Sequence, residues 1–200
     1  MRKLLSTGAL VAARLYLASF LFYRVLQEGK DGRFDKIRGN TVRFSVSWLL
    51  QGIWVFVVAL PVLLINVSKR TVPMNALAYA AMAMFVAGLA LEVTADLQKM
   101  QFKNDPANSG KFTNVGVWTW CRHPNYLGEI MLTTSLYLLS LPLLRGMGHL
   151  AVLSPILTAF LLLKVSGVPM TEPYWKKTYG DDPAFRKYMA NTAMLVPFVY

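Results

Sequence analysis

The sequence predicts an all-α fold: an integral membrane helical bundle with about five transmembrane helices and a cytosolic amphipathic C-terminal tail. Three observations carry that expectation. Of the 200 residues, 55% are hydrophobic, and the mean hydropathy is +0.41. The apolar residues come in long blocks that are nearly free of charge, where a soluble core would need only one apolar stripe or face per element. The basic residues collect between those blocks and mostly on one side of them. The whole chain, 1–200, reads as a single transmembrane domain, with its polar motifs concentrated in 92–198.

The first block, 4–26, is a candidate span interrupted by Arg14. Its start, Met1-Arg2-Lys3-Leu4-Leu5, also has the form of a secretory signal. The lack of a clean small-residue cleavage site and the presence of Arg14 favour a retained helix. A loop at 27–43 follows, where Gly29, Gly32 and mixed charges predict a turn and then a short amphipathic piece. The second block, 45–65, meets Pro61 near its end, and 66–73 is a short connection. The third starts near Met74 and runs on through Glu92 and Asp96 towards Lys103, where Asn104-Asp105-Pro106 ends it.

Trp118 and Trp120 then fit an aromatic belt at the membrane boundary. Pro124 suits the start of the fourth helix, which continues through 127–144. Arg145-Gly146-Met147-Gly148 is a tight turn that makes the fourth and fifth spans an antiparallel hairpin. The fifth block, 150–163, is short and extends to 149–165 at most. Beyond Gly167, 171–179 looks helical and Gly180 stops it. Asp182-Pro183 opens a last amphipathic helix that ends before Pro197.

The net charge of +11 would suit nucleic acid, but its distribution argues for a membrane. With five spans, the N-terminal side carries five basic residues and the opposite side fifteen, with Arg14 inside a span. That asymmetry places the N-terminus outside or in a lumen and the C-terminus in the cytosol. No nucleic-acid partner is expected. A single cysteine, Cys121, excludes an internal disulfide. With only His123 and His149 beside it, no metal centre is expected, and Cys121 reads as a buried structural thiol. There is no G-x-G-x-x-G, no Walker loop and no Gly-x-Ser-x-Gly.

Three polar stretches stand out against this apolar background. Glu92, Asp96, Lys99 and Lys103 fall at offsets of 0, 4, 7 and 11, one stripe on a helix. They either pair with one another as the helix leaves the membrane or face a ligand. Glu92, at the end of a long apolar run, fits the second option better. In Arg122-His123-Pro124-Asn125-Tyr126-Leu127-Gly128-Glu129, a proline-started helix exposes N–H groups to an anion. Arg122 and His123 add donors suited to a phosphate. Asn125 and Glu129 lie one turn apart, placed to bond an amide or ribose. The plainer alternative is an Arg and a Tyr anchoring a helix at the interface. The third stretch holds Glu172, Tyr174, Trp175, Tyr179, Arg186 and Tyr188, and a segment lying on the membrane surface would look the same.

The Arg122–Glu129 run resembles the C-terminal domain of steroid 5-alpha reductases and their uncharacterised relatives. Asp96-Leu97-Gln98-Lys99-Met100-Gln101-Phe102-Lys103 is similar to that family's D-x-Q-K-x-x-F-[RK] segment. Val165-Ser166-Gly167-Val168-Pro169 with Glu172, Tyr179-Gly180-Asp181 and Val196-Pro197-Phe198 resemble its tail. Lys30-Asp31-Gly32-Arg33-Phe34 resembles its first cytosolic loop.

The resemblance implies an oxidoreductase with NADPH as cofactor, reducing a double bond conjugated to a carbonyl in a lipophilic, steroid-like or lipid substrate. It implies a cofactor site of Glu92, Asp96, Lys99, Lys103, Asn125, Glu129, Glu172 and Trp175, with Arg122, His123 and Tyr126 around them. It implies that Tyr16 is the acid that stabilises the carbonyl oxygen; packing or interfacial anchoring is the competing role for this residue. An endoplasmic reticulum membrane is implied if the source is eukaryotic.

Such relatives usually begin with further transmembrane helices that help wall the substrate cavity, whereas this chain starts near what would be their third. The expectation is a substrate site built differently, a partner subunit or oligomer that completes it, or altered activity. Membrane isoprenylcysteine and phospholipid methyltransferases share an Arg-His-Pro-x-Tyr-x-Gly core, so S-adenosylmethionine is the alternative cofactor. A non-catalytic lipid-binding or scaffold protein is the third reading.

Overall fold

The computed structural model describes residues 1–29 and 39–199, so the loop motif at Lys30-Asp31-Gly32-Arg33-Phe34 lies outside the described residues. Among the described residues, seven α-helices follow one another: α1 Arg2–Glu28, α2 Thr41–Val67, α3 Ala76–Asn104, α4 Pro124–Ser140, α5 Leu153–Phe160, α6 Val168–Tyr179 and α7 Pro183–Asn191. No strand occurs among them. Five of the described segments are long and apolar enough to cross a membrane, the fifth being the composite Gly146–Tyr179. The protein is an integral membrane helical bundle.

Local chemistry sets the helix starts. Asn40 and Asn75 each cap a helix by accepting a backbone N–H through Oδ1, from Arg43 and Ala78 respectively, both at 3.0 Å. Pro124 is the first residue of α4, where its missing N–H costs nothing. Pro61 removes one hydrogen bond inside α2. The Ser154 hydroxyl reaches across to the neighbouring Val58 carbonyl at 3.1 Å.

The fifth span departs from the uninterrupted helix expected at 150–163. Residues 146–152 form a tight three-residue-per-turn helix, α5 follows, and 161–165 form a wider π turn closed by the Ser166 N–H on the Leu161 carbonyl at 2.8 Å. Gly167 makes this possible, since a Cβ there would collide with the Leu162 carbonyl. The next helix begins at Val168 rather than 171, because Pro169 is already compatible with its first turn. The last one ends at Asn191, before Pro197 as expected, and 192–196 return alongside the chain at Cys121. There the Arg122 N–H donates to the Ala193 carbonyl at 2.8 Å.

The α3–α4 pair is the spine of the bundle. It is tight because Gly88 and Gly128 meet at the crossing, as small residues do where membrane helices approach closely. A Cβ on Gly128 would stand 2.7 Å from the Gly88 carbonyl oxygen and 2.9 Å from the Glu92 Cβ. Helix α1 lies antiparallel on α4, pinned by two arginines. Arg2 donates to the carbonyls of Leu139 at 2.7 Å and Pro73 at 2.8 Å. Arg14 meets Glu129 at 2.8 Å. Twelve residues on α1 and ten on α4 separate these contacts, about 18 and about 15 Å along the axes, so one register satisfies both. Between them pack Ala9, Ala13, Val62, Phe85, Leu132 and Leu136. The outer faces of α1 and α2 carry exposed leucine, valine and phenylalanine, as lipid-facing surfaces do.

Candidate functional site

Burial of charge singles out one level of the bundle. Glu92 and Asp96 on α3 and Glu129 on α4 are all buried although each is ionisable. The close crossing at Gly88 and Gly128 brings them together, since it lets α3 and α4 approach without intervening side chains. Arg14, in the middle of α1, supplies a cation. Its Nη2 pairs with Glu129 Oε1, while its Nε and Nη1 are enclosed without a partner. A carboxylate and a guanidinium at this depth are retained only when paired.

One turn further along, Asp96 Oδ2 accepts from the Tyr16 hydroxyl at 3.4 Å and Oδ1 from Asn125 Nδ2 at 3.3 Å. Asn125 Oδ1 is enclosed with no donor. Asp96 and Asn125 of this set form the floor of a cavity of about 340 Å³, with the Tyr16 hydroxyl bonded to Asp96. Arg24 of α1 and Lys99 and Lys103 of α3 stand around its walls. Three basic side chains over a hydrogen-bonding floor make a site for an anion that carries polar groups.

The motif residues that meet α6 form a separate assembly. Glu172 Oε1 takes Arg122 Nη1 at 3.0 Å and His123 Nε2 at 3.3 Å. The His123 ring is sandwiched between Tyr126 at 4.8 Å and Trp175 at 5.1 Å, nearly parallel to both. Burial holds the imidazole below its ordinary pKa, against the upward pull of the Glu172 carboxylate. It is therefore neutral at pH 7, and the geometry puts its proton on Nε2, donating to Glu172. Burial likewise pushes the Cys121 thiol and the Tyr188 phenol up. Lys99 links the two assemblies through its position over two aromatic faces. Its ammonium lies 4.9 Å from the Trp118 ring and 5.6 Å from that of Trp175.

Trp118 corrects the expected aromatic belt. It is 1% exposed and donates through Nε1 to the Ala95 carbonyl at 2.9 Å, while Trp120 remains exposed. An indole whose N–H finds a backbone acceptor packs as core rather than at the interface. Gln98 of the Asp96–Lys103 motif is likewise architectural. Its Oε1 accepts the Val117 N–H at 2.9 Å, and its side chain fills the space where a Cβ on Gly116, at φ +54°, would sit.

The sequence-derived residues thus divide. Asp96, Lys99, Lys103 and Asn125 line the basic cavity, with Tyr16 bonded into its floor. Glu92 and Glu129 lie deeper, beside Arg14. Arg122, His123, Tyr126, Glu172 and Trp175 contact one another against α6, and Arg122 Nε is enclosed without a partner. Arg14, Phe20, Arg24 and Gln27, all on α1, escape the sequence reading. Its one signal is the charge of Arg14 inside an apolar block, because apolar periodicity does not reveal which neighbour a lone charge meets.

Fold and site together define a multi-pass membrane protein with a polar, cation-rimmed cavity sunk into one end of its bundle. The chain belongs to the family described as "protein of unknown function (DUF1295)", which matches residues 3–192. Neither a curated protein nor a solved structure matches it.

Proposed function

We propose that this protein is a membrane-embedded reductase that uses NADPH to saturate a carbon–carbon double bond conjugated to a carbonyl in a lipophilic, steroid-like or lipid molecule. The observation that carries this reading is the basic cavity floored by Asp96 and Asn125, with the Tyr16 hydroxyl bonded to Asp96. A dinucleotide phosphate brings several negative charges, which Arg24, Lys99 and Lys103 would hold. It also brings amide and hydroxyl donors, which suit Asp96 and the unpartnered Asn125 Oδ1. The cavity volume is about 340 Å³. Ligand sites run from about 300 to about 1000 Å³, so the cavity falls inside that range. The motif resemblance to the C-terminal domain of steroid 5-alpha reductases supports the same cofactor.

When bound, the cofactor would supply a hydride. The chain must then stabilise negative charge on the carbonyl oxygen of its substrate. The Tyr16 hydroxyl, held by Asp96 in a partly buried setting, is the proton-bearing group suited to that task. S-adenosylmethionine is cationic at sulfur and has no phosphate, so a cavity with three cations on its walls suits it less well. The charge asymmetry of the connections supports a cytosolic opening for the cavity and a cytosolic C-terminus. In a eukaryotic cell the endoplasmic reticulum membrane would be the setting.

The test is binding of NADPH and of S-adenosylmethionine to the full chain purified in detergent. NADPH is expected to bind, and Lys103→Met and Asp96→Asn should each weaken it by about tenfold. NADPH consumption with an enone sterol should stop in Tyr16→Phe. Binding of S-adenosylmethionine alone, or NADPH binding indifferent to both cavity variants, overturns the reading.

A further inference from the structure

The chain beyond α7 closes on a strained turn. The Val199 N–H donates to the Val196 carbonyl at 3.1 Å, with Pro197 and Phe198 between them. A turn with proline at its second position and a positive φ at its third takes glycine there by preference. Here the third position is Phe198 at φ 66°, the one non-glycine residue with positive φ among the described residues. A bulky side chain in that region is strained, and such strain gathers where binding uses it. The chain itself does not bury the ring. Phe198 is 82% exposed, and Val196 and Val199 beside it are 48% and 64% exposed.

The returning chain lies level with the end of a membrane span. The Arg122 N–H donates to the Ala193 carbonyl at 2.8 Å, and Pro124, two residues on, begins the span Pro124–Leu143. Trp120 on the same stretch is 54% exposed, as tryptophans are where water meets lipid. Between the end of α7, the returning chain and Arg122 is a cavity of about 370 Å³. Met189, Met194, Leu195, Val196 and Val199 give it an apolar lining, and Arg122 and Thr192 are its two polar side chains. Arg122 commits Nη1 to Glu172 at 3.0 Å and its Nε is enclosed, so Nη2 is the nitrogen left for a ligand. Thr192 adds a hydroxyl. Glu172 balances the guanidinium charge, so the pair of donors suits an acceptor on a head group with no net charge.

We propose that this cavity binds a zwitterionic glycerophospholipid of the adjoining leaflet. One acyl chain lies along the apolar lining, the phosphodiester accepts from Arg122 and Thr192, and Phe198 inserts beside the lipid as an anchor. The phosphodiester supplies the acceptor oxygens, and the choline or ethanolamine cation keeps the head neutral overall. The site stands apart from the reductase reading, since it shares no lining residue with the basic cavity.

Two measurements on the full chain test this. In detergent, phosphatidylcholine carrying a diazirine on its acyl chain is photo-crosslinked and the adducts are mapped by mass spectrometry. Adducts are expected within 189–199. Unlabelled phosphatidylcholine should compete them away, whereas diacylglycerol with the same chains, lacking the phosphodiester, should not. Ala190→Trp fills the cavity and should lower labelling by about tenfold, and Thr192→Val, of similar size, by about threefold. In nanodiscs holding one copy each, Val199→Cys is tagged with an environment-sensitive dye. Cys121, the only native cysteine, is buried and escapes the tag. The dye should be quenched by phospholipid bearing a doxyl group near its glycerol end. Phe198→Gly suits the positive φ and keeps the turn, and it should remove most of that quenching. Adducts scattered over the outer faces of α1 and α2, equal competition by diacylglycerol, or a dye quenched by aqueous iodide alone overturns the proposal. Shielding of the dye only when two copies share a disc also overturns it, by making the turn a contact between copies.

Discussion

Removing one partner of the Arg14–Glu129 pair should destabilise the bundle strongly, and removing both should not. The pair spans α1 and α4 at 2.8 Å, with side-chain exposures of 28% for Arg14 and 11% for Glu129. Breaking a fully buried pair by deleting one member costs about 3–5 kcal/mol, because the survivor is left charged without compensation. The partial exposure of Arg14 reduces that figure, so about 2–4 kcal/mol is expected for Arg14→Met or Glu129→Leu. At about 2–4 °C per kcal/mol for a chain of this size, the midpoint should fall by about 4–16 °C.

Cys121 provides the assay. It is the only cysteine and is 1% exposed, so a thiol-reactive fluorogenic dye lights up only as the bundle opens. In the double variant, well-packed apolar side chains replace the ions and most of the loss should return. The four proteins form a thermodynamic cycle. If the two single losses simply add to within about 0.5 kcal/mol, the ions are not coupled and the reasoning fails.

Three other perturbations test the architecture. Gly128→Ala places a Cβ 2.7 Å from the Gly88 carbonyl oxygen and 2.9 Å from the Glu92 Cβ, so α3 and α4 must separate. A loss of about 1–3 kcal/mol is expected in the same dye melt, and an unchanged midpoint would remove the close crossing. The pH dependence of stability should show His123. Its folded pKa lies below the ordinary value that the unfolded chain keeps, so the unfolded chain binds the extra proton first. Stability is then full above about pH 6.5 and declines as pH falls towards the folded value. Melts from about pH 7.5 to about pH 5 should show that decline, and His123→Gln should flatten it. A decline as steep in His123→Gln as in the parent chain would assign it to other groups. Trp118→Phe deletes the donor to the Ala95 carbonyl, and the same melt should register a loss of about 1–3 kcal/mol. Trp120→Phe, at an exposed site, should change stability by no more than about 0.5 kcal/mol. Equal losses at the two tryptophans would remove the distinction between core and surface.

What is legible in the sequence follows from the range over which each physical signal acts. The five spans are readable because hydrocarbon thickness imposes a run length on every one of them, whatever its neighbours. Pro124, Asn104-Asp105-Pro106 and Gly180 mark ends by chemistry confined to a few residues. The stripe of Glu92, Asp96, Lys99 and Lys103 needs only helical geometry. The Arg14 partner is not readable, since pairing residues 14 and 129 depends on how α1 registers against α4. That register is set by Arg2 on Leu139 and by small residues at 9 and 13. The split of the Arg122–Glu129 motif is hidden for the same reason. Arg122 and His123 look like anion donors in a row of residues, yet Glu172 arrives from α6 to occupy both.

That split gives the motif a division of labour along one short helix. Before Pro124, Arg122 and His123 fasten α6 to the bundle, and with it the chain that runs on to the Cys121–Ala193 return. After Pro124, Asn125 faces the basic cavity and Glu129 pairs with Arg14 of α1. A loss at Glu172 should then act through position rather than chemistry: Glu172→Gln leaves the floor of the basic cavity intact but releases the clamp that holds Trp175 against His123 and near Lys99. Stability should fall by about 1–3 kcal/mol, since Arg122 is left without its carboxylate. NADPH affinity should fall less than in Lys103→Met. Were Glu172→Gln to abolish binding while leaving the melt unchanged, Glu172 would be a direct contact, and the α6 assembly would belong to the ligand site rather than to its support.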